Sequence, residues 1–255
     1  FKGSAKAPEA IVLTQGHFDH VGAIKTLAKT WNVPIYADIK EFPYLTGKSH
    51  YPPPDPTTGG GSMSLLSFMY PSSPINIGEY LKPFPENGIL PEMPEWKVIK
   101  TPGHSPGHIS LFRESDRTLI AGDAFVTVKQ ESAIAVMTQK KKLKGPPFYF
   151  TCDWEVAKDS VIKLRGLNPE VGATGHGVPM RGEELKQGLK DLTDNFEILG
   201  MPSSGRYVKE PAITNEQGVT YLPPAKIKNG TIATVIIGTF VSLTLFAFLN
   251  NNEDD

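Results

Sequence analysis

An α/β fold is what this sequence predicts, and three observations predict it. Apolar runs of strand length alternate with stretches whose apolar side chains recur at helical spacing. Four of the apolar runs end in glycine-rich backbone carrying a histidine or an acid, which suits side chains converging at one edge of a sheet. At 255 residues and a formal net charge of -1, the chain fits one globular domain plus a tail, and nothing suggests a nucleic-acid surface.

Residues 1–8 read as the end of a helix or loop. Ala10-Ile11-Val12-Leu13 then reads as a buried strand, and residues 23–31 carry helical periodicity. Val33-Pro34-Ile35-Tyr36-Ala37 supplies the next strand and closes a βαβ unit, which implies a parallel pair. Composition shifts over residues 41–95, where Tyr51-Pro52-Pro53-Pro54-Asp55-Pro56 and Gly59-Gly60-Gly61 exclude helix and central strand. A short helix is expected at residues 63–70. The large apolar residues of this insertion suit a cover facing substrate or a partner. Strands follow at residues 96–100, 108–112 and 118–122, with Ser115-Asp116-Arg117 as the turn between the last two. Residues 154–167 and 183–199 read as helices through Trp154, Ala157, Val161 and Leu164, and through Leu185, Leu189, Leu192 and Phe196. Lys140-Lys141-Lys142 reads as a solvated face, and Cys152, the single cysteine, as a packed thiol. Periodicity fades over residues 201–230, which read as a linker.

The chemistry lies at the strand ends. Thr14-Gln15-Gly16-His17-Phe18-Asp19-His20-Val21-Gly22 packs two imidazoles and a carboxylate into four residues on a strand-to-helix turn. These are donors that zinc or a similar borderline metal prefers. Thr101-Pro102-Gly103-His104-Ser105-Pro106-Gly107-His108, Leu119-Ile120-Ala121-Gly122-Asp123 and Val171-Gly172-Ala173-Thr174-Gly175-His176-Gly177 end the other runs. Of six histidines, only His50 lies outside these segments.

The set strongly resembles the metallo-β-lactamase-fold hydrolases, a superfamily that includes glyoxalase II and lactonases. Its His-x-His-x-Asp-His, Gly-His-[Ser/Thr], Gly-Asp and Gly-His motifs match His17, Asp19, His20, His104, Asp123 and His176 in order. The resemblance covers about the first two hundred residues and implies an αββα sandwich with helices on the outer faces of two sheets. It also implies up to two zinc ions bridged by Asp123. His17 and His104 would serve the first, and Asp19, His20 and His176 the second. Asp19 and Asp123 are the expected catalytic carboxylates, and His108 supports the ligands from behind. Two departures stand out. Gln15 occupies the place of the family's first histidine, so the first site is expected to be weakened. Only thirteen residues precede Thr14, so the first sheet is expected to be incomplete at its N-terminal side.

The expected activity is attack of metal-activated water on an ester, thioester, lactone or related bond of a small molecule. The rival is a membrane-anchored pseudoenzyme with a damaged metal site. A flavodiiron enzyme would carry Glu at position 17, and a nuclease of this fold would want a basic surface. The expected layout is a hydrolase domain at 1–200, a linker at 201–230, a transmembrane helix at 231–249 and a polar tail at 250–255. Residues 231–249 carry no charge and as a helix would span about 28 Å, close to one bilayer core. Lys226 and Lys228 precede them while Glu253, Asp254 and Asp255 follow, so the hydrolase body is expected to face the cytoplasm.

Overall fold

The protein is represented by a computed structural model in which residues 7–225 are described. Two units are distinguished, 1–223 and 224–255, and the account concerns the first. Strand β1 (Ile11–Val12) leads through α1 (Phe18–Val21) and α2 (Ile24–Trp31) to β2 (Ile35–Ala37), and the two strands pair in parallel as expected. Asn32 ends α2 in the left-handed conformation that a C-cap favours (φ 53°). The face of α2 bearing Ile24 and Ala28 packs with Leu13, Ile35 and Ala37 into a small core.

The insertion is built from short elements. It holds α3 (Phe42–Leu45), α4 (Ser62–Leu65) and β3 (Leu81–Pro83), with 3-10 turns between them, so the helix expected at 63–70 is split in two. Its Leu45 and Ile77 enter the small core, and β3 adds a parallel edge strand beside β2. Pro83 is tolerated there because an edge strand leaves one row of backbone groups unpaired.

The larger sheet joins β4 (Trp96–Lys100), β5 (Ile109–Arg113), β6 (Thr118–Gly122), β9 (Val171–Thr174) and β10 (Met180–Arg181) in the order β10-β9-β6-β5-β4. β6 and β9 run parallel, and the other pairs are antiparallel. Residues 109–112 of β5 are buried on both faces, which is why that stretch reads as apolar with only Ser110 between. Two 13-residue helices, α6 (Trp154–Gly166) and α7 (Gly182–Asp194), place Trp154, Val161, Leu164, Leu185, Leu189 and Leu192 in one core with Leu119 and Phe125. Between β6 and α6 in the chain lie β7 (Val126–Val128), α5 (Ala133–Thr138) and β8 (Lys141–Lys144), and after α7 comes α8 (Phe196–Leu199). Asp153 accepts from the Val156 amide and caps α6. Cys152 is buried with its thiol held up by desolvation, an inert packed group.

Residues 201–223 pack where the sequence reads as a linker. Tyr207 joins the large core and donates to the Pro53 carbonyl at 2.8 Å, and Ala212 N–H donates to Cys152 O at 3.0 Å. A hairpin, β11 (Ile213–Asn215) and β12 (Gly218–Tyr221), reaches Ser49 of the insertion.

The expected membrane anchor is corrected. Among the described residues no helix is long and apolar enough to cross a membrane: the longest have 13 residues and each turns a polar face outward. Residues 231–249, on which that expectation rested, lie outside the described residues. The transmembrane part of the expected fold class and the single-pass localisation with a cytoplasmic body are therefore withdrawn.

Candidate metal centre

Each candidate side chain leaves the C-terminal end of a strand. His17 follows β1 in extended conformation and opens α1, so that Asp19 and His20 project from its first turn. His104 follows β4, Asp123 follows β6 and His176 follows β9. One donor atom from each of Asp19, His20, Asp123 and His176 lies within 4.8 Å of all the others. Asp123 Oδ2 sits 3.2 Å from His20 Nε2 and 3.4 Å from His176 Nε2, and His176 Nε2 is 3.2 Å from Asp19 Oδ2.

His17 and His104 adjoin this group. His17 Nδ1 lies 3.1 Å from His104 Nε2, which is 3.5 Å from Asp123 Oδ2. The Thr151 hydroxyl donates to Pro147 O at 2.8 Å and so accepts from His104 Nδ1 at 3.1 Å. That leaves a lone pair on His104 Nε2, facing His17. His108 lies behind. Its Nε2 accepts the Asp123 backbone N–H at 2.9 Å, and its Nδ1 donates to Thr101 O at 3.0 Å. The tautomer is thus set by backbone, and the ring fixes where Asp123 begins.

Charge divides the cluster. Burial lowers His17 and His108 to about 4 and His104 well below its ordinary value, so all three are neutral imidazoles at neutral pH. His176 is also depressed by burial, but hydrogen bonds to Asp123 and Asp19 outweigh that and raise it to about 10. Burial pushes the Asp123 and Asp19 carboxyls upward, yet their histidine partners hold both below the usual range and therefore ionised.

Gln15 is fully buried among these groups. Its Nε2 lies 2.7 Å from Asp123 Oδ2 and 2.8 Å from His20 Nε2. An ionised carboxylate only accepts, so the amide nitrogen has to face it. The sequence places Gln15 beside His17 and His104; the structure turns its amide to Asp123 and His20.

The donor set fits a cation. Four nitrogens, from Gln15, His20, His176 and His104, lie within 3.5 Å of Asp123 Oδ2, more than its two lone pairs can serve. Meanwhile Asp123 Oδ1 and Gln15 Oε1 are buried without a hydrogen-bond partner among the described residues. Neutral imidazoles, carboxylates and unserved oxygens together are what a borderline metal requires.

Two features escape the motifs. Phe18, Tyr70 and Phe150 form an aromatic wall with centroids about 6 Å apart, and Phe150 stacks on His17 at 4.7 Å. The run Phe148-Tyr149-Phe150 was a visible signal for one of its three rings. Glu41 is buried between the His17 and His104 segments, and as a lone acid in the insertion it had no signal.

Residues 2–176 match the model of the family described as the metallo-beta-lactamase superfamily. The chain is 48% identical over 191 residues to the "Probable metallo-hydrolase YflN" of Bacillus subtilis, covering 75% of this chain and 72% of that one. It is 34% identical over 170 residues to the "Probable metallo-hydrolase YybB" of the same organism, with 67% and 64% covered. An archaeal metallo-beta-lactamase superfamily protein from Sulfolobus tokodaii superposes with a TM-score of 0.50 at 19% identity over 78% and 72% of the two chains, a likeness of fold.

Proposed function

Because the chain belongs to the metallo-beta-lactamase superfamily, we propose that it is a zinc-dependent hydrolase of an ester, thioester, lactone or related bond in a small molecule. The observation that carries this is the convergence of Asp19, His20, Asp123 and His176 within 4.8 Å. These four would hold the tighter ion, and His17 and His104 with a share of Asp123 the weaker one. When bound, zinc lowers the pKa of its water toward neutrality and polarises the bond under attack. Asp19, partly exposed and bonded to His176, stands on the open side, where it can orient the attacking water and take its proton. Asp123 is buried and gathers the histidines around one oxygen. Phe18 and Tyr70 at the rim offer an apolar surface to the acyl side of a substrate.

The rival reading is a protein of this fold that holds metal poorly and turns nothing over. The Gln15 bonds to Asp123 and His20 favour it, since they occupy atoms that a metal would use. Elemental analysis of folded protein, with a panel of ester, thioester and lactone substrates, decides between them. The expected result is one tightly held zinc with slow turnover, and a second zinc with faster turnover in Gln15→His. A folded protein that retains no zinc and hydrolyses nothing, with and without the histidine, would overturn the hydrolase reading.

A further inference from the structure

Glu41 ends the short turn that follows β2 and is buried, although among the described residues no Lys, Arg or His forms an ion pair with it. Both of its oxygens are taken. Oε2 accepts from the Gly16 amide at 3.0 Å and from the Tyr51 hydroxyl. Oε1 accepts from the Gly107 amide at 2.7 Å and the Ser105 hydroxyl at 2.9 Å. Gly16 directly precedes His17, and Ser105 directly follows His104. One carboxylate therefore bridges the two segments that bring His17 Nδ1 and His104 Nε2 to 3.1 Å.

Three further details suit a built bridge. A Cβ on Gly16 would collide with the Tyr51 hydroxyl, and one on Gly107 would meet Glu41 Cγ at 2.8 Å, so both segments approach only because these residues are glycine. Tyr51 also sets its ring edge-on against His17, with centroids 4.6 Å apart, so the same hydroxyl-bearing ring that binds Glu41 limits the His17 rotamer. Finally, the parallel register of β1 and β2 puts the Glu41 turn at the sheet edge from which His17 departs.

We propose that Glu41 is a positioning residue that sets the spacing of His17 and His104, and so the affinity of the metal site they serve, without touching metal or substrate. The proposal rests on reading His17 and His104 as ligands. Glutamine cannot replace the carboxylate: each oxygen holds one backbone N–H, so either orientation of the amide turns an NH2 toward a backbone donor and releases one segment. Changes to groups that orient metal ligands from behind cost about 10- to 100-fold in affinity.

The test uses the full chain carrying Glu41→Gln, with two readouts. Zinc titration followed by 15N signals of the histidine rings should show affinity at His17 and His104 falling about tenfold or more, while His20 and His176 change by less than about threefold. Equal affinity at both sites in parent and variant would overturn the proposal, as would parallel weakening at both. The second readout needs no metal: hydrogen exchange of the Gly16 and Gly107 amides should be protected in the parent and faster in the variant, with core amides unchanged. Unprotected amides in the parent overturn the bridge outright. A parent that shows protection but binds no zinc defeats the hydrolase reading, yet leaves the bridge established. Should Glu41→Gln not fold, Ser105→Ala removes one donor and no charge. It should then speed exchange at Gly107 and weaken the His17–His104 site alone; no change in either overturns the proposal.

Discussion

Removing the Gln15 side chain should tighten metal binding, which is the reverse of what deleting a ligand does. The amide nitrogen lies 2.7 Å from Asp123 Oδ2 and 2.8 Å from His20 Nε2, two atoms of the tighter group. An ion placed on those atoms must first displace the amide. A hydrogen bond to a charged group contributes about 1.5–3 kcal/mol net. At about 1.4 kcal/mol per factor of ten, the displacement weakens binding by roughly 10- to 100-fold. Gln15→Ala should therefore lower the zinc Kd by about that factor. The amide oxygen, buried without a partner, is lost at no hydrogen-bonding cost, so the fold should tolerate the change. Competition with a chromophoric chelator of known zinc affinity reads the Kd, and circular dichroism checks the fold. A Kd that is unchanged or weaker in folded Gln15→Ala refutes the reasoning, because the amide would then be a ligand and not a competitor.

The aromatic wall predicts a substrate effect: Tyr70→Ala and Phe18→Ala should raise KM for esters with long acyl chains about tenfold, with zinc content and acetyl-ester turnover little changed. An equal shift for long and short chains would show that the wall is not the acyl surface. Stability in the presence of a chelator should peak near pH 6.5. His17 and His108, lowered to about 4 by burial, bind protons in the unfolded chain at a higher pH than in the folded one. Their contribution is complete above 6.5 and lost as pH falls toward 4, about 3 kcal/mol for His108 alone. His176 works oppositely: raised to about 10, it contributes fully below 6.5 and loses that contribution as pH rises to about 10. Urea unfolding between pH 5 and 9 measures this, and a flat profile would count against these shifts.

The candidate donor set was legible because its information is local. His17, Asp19 and His20 share one turn, and His104, Asp123 and His176 each sit beside glycine at the end of an apolar run. Patterning likewise placed α2, α6 and strands β4, β5 and β6 within a residue, while the helix expected over 183–199 breaks at Asn195 into α7 and α8, and β10 was not foreseen. It could not show that Gln15 turns to Asp123, 108 residues on, nor that Glu41 meets Gly107, 66 residues on. Contacts of that range depend on how β1 registers on β2 and how the two sheets bring their strand ends together, and they leave no period in the chain. The insertion gave the same lesson. Its prolines and glycines forbid long helices, but what Tyr51, Tyr70 and Leu45 touch was decided only by the cores around them. Residue types at strand ends determine which chemistry is available, because ligands must carry particular donors. Which donors face one another, and which carboxylate holds their segments together, is settled by packing between distant parts of the chain.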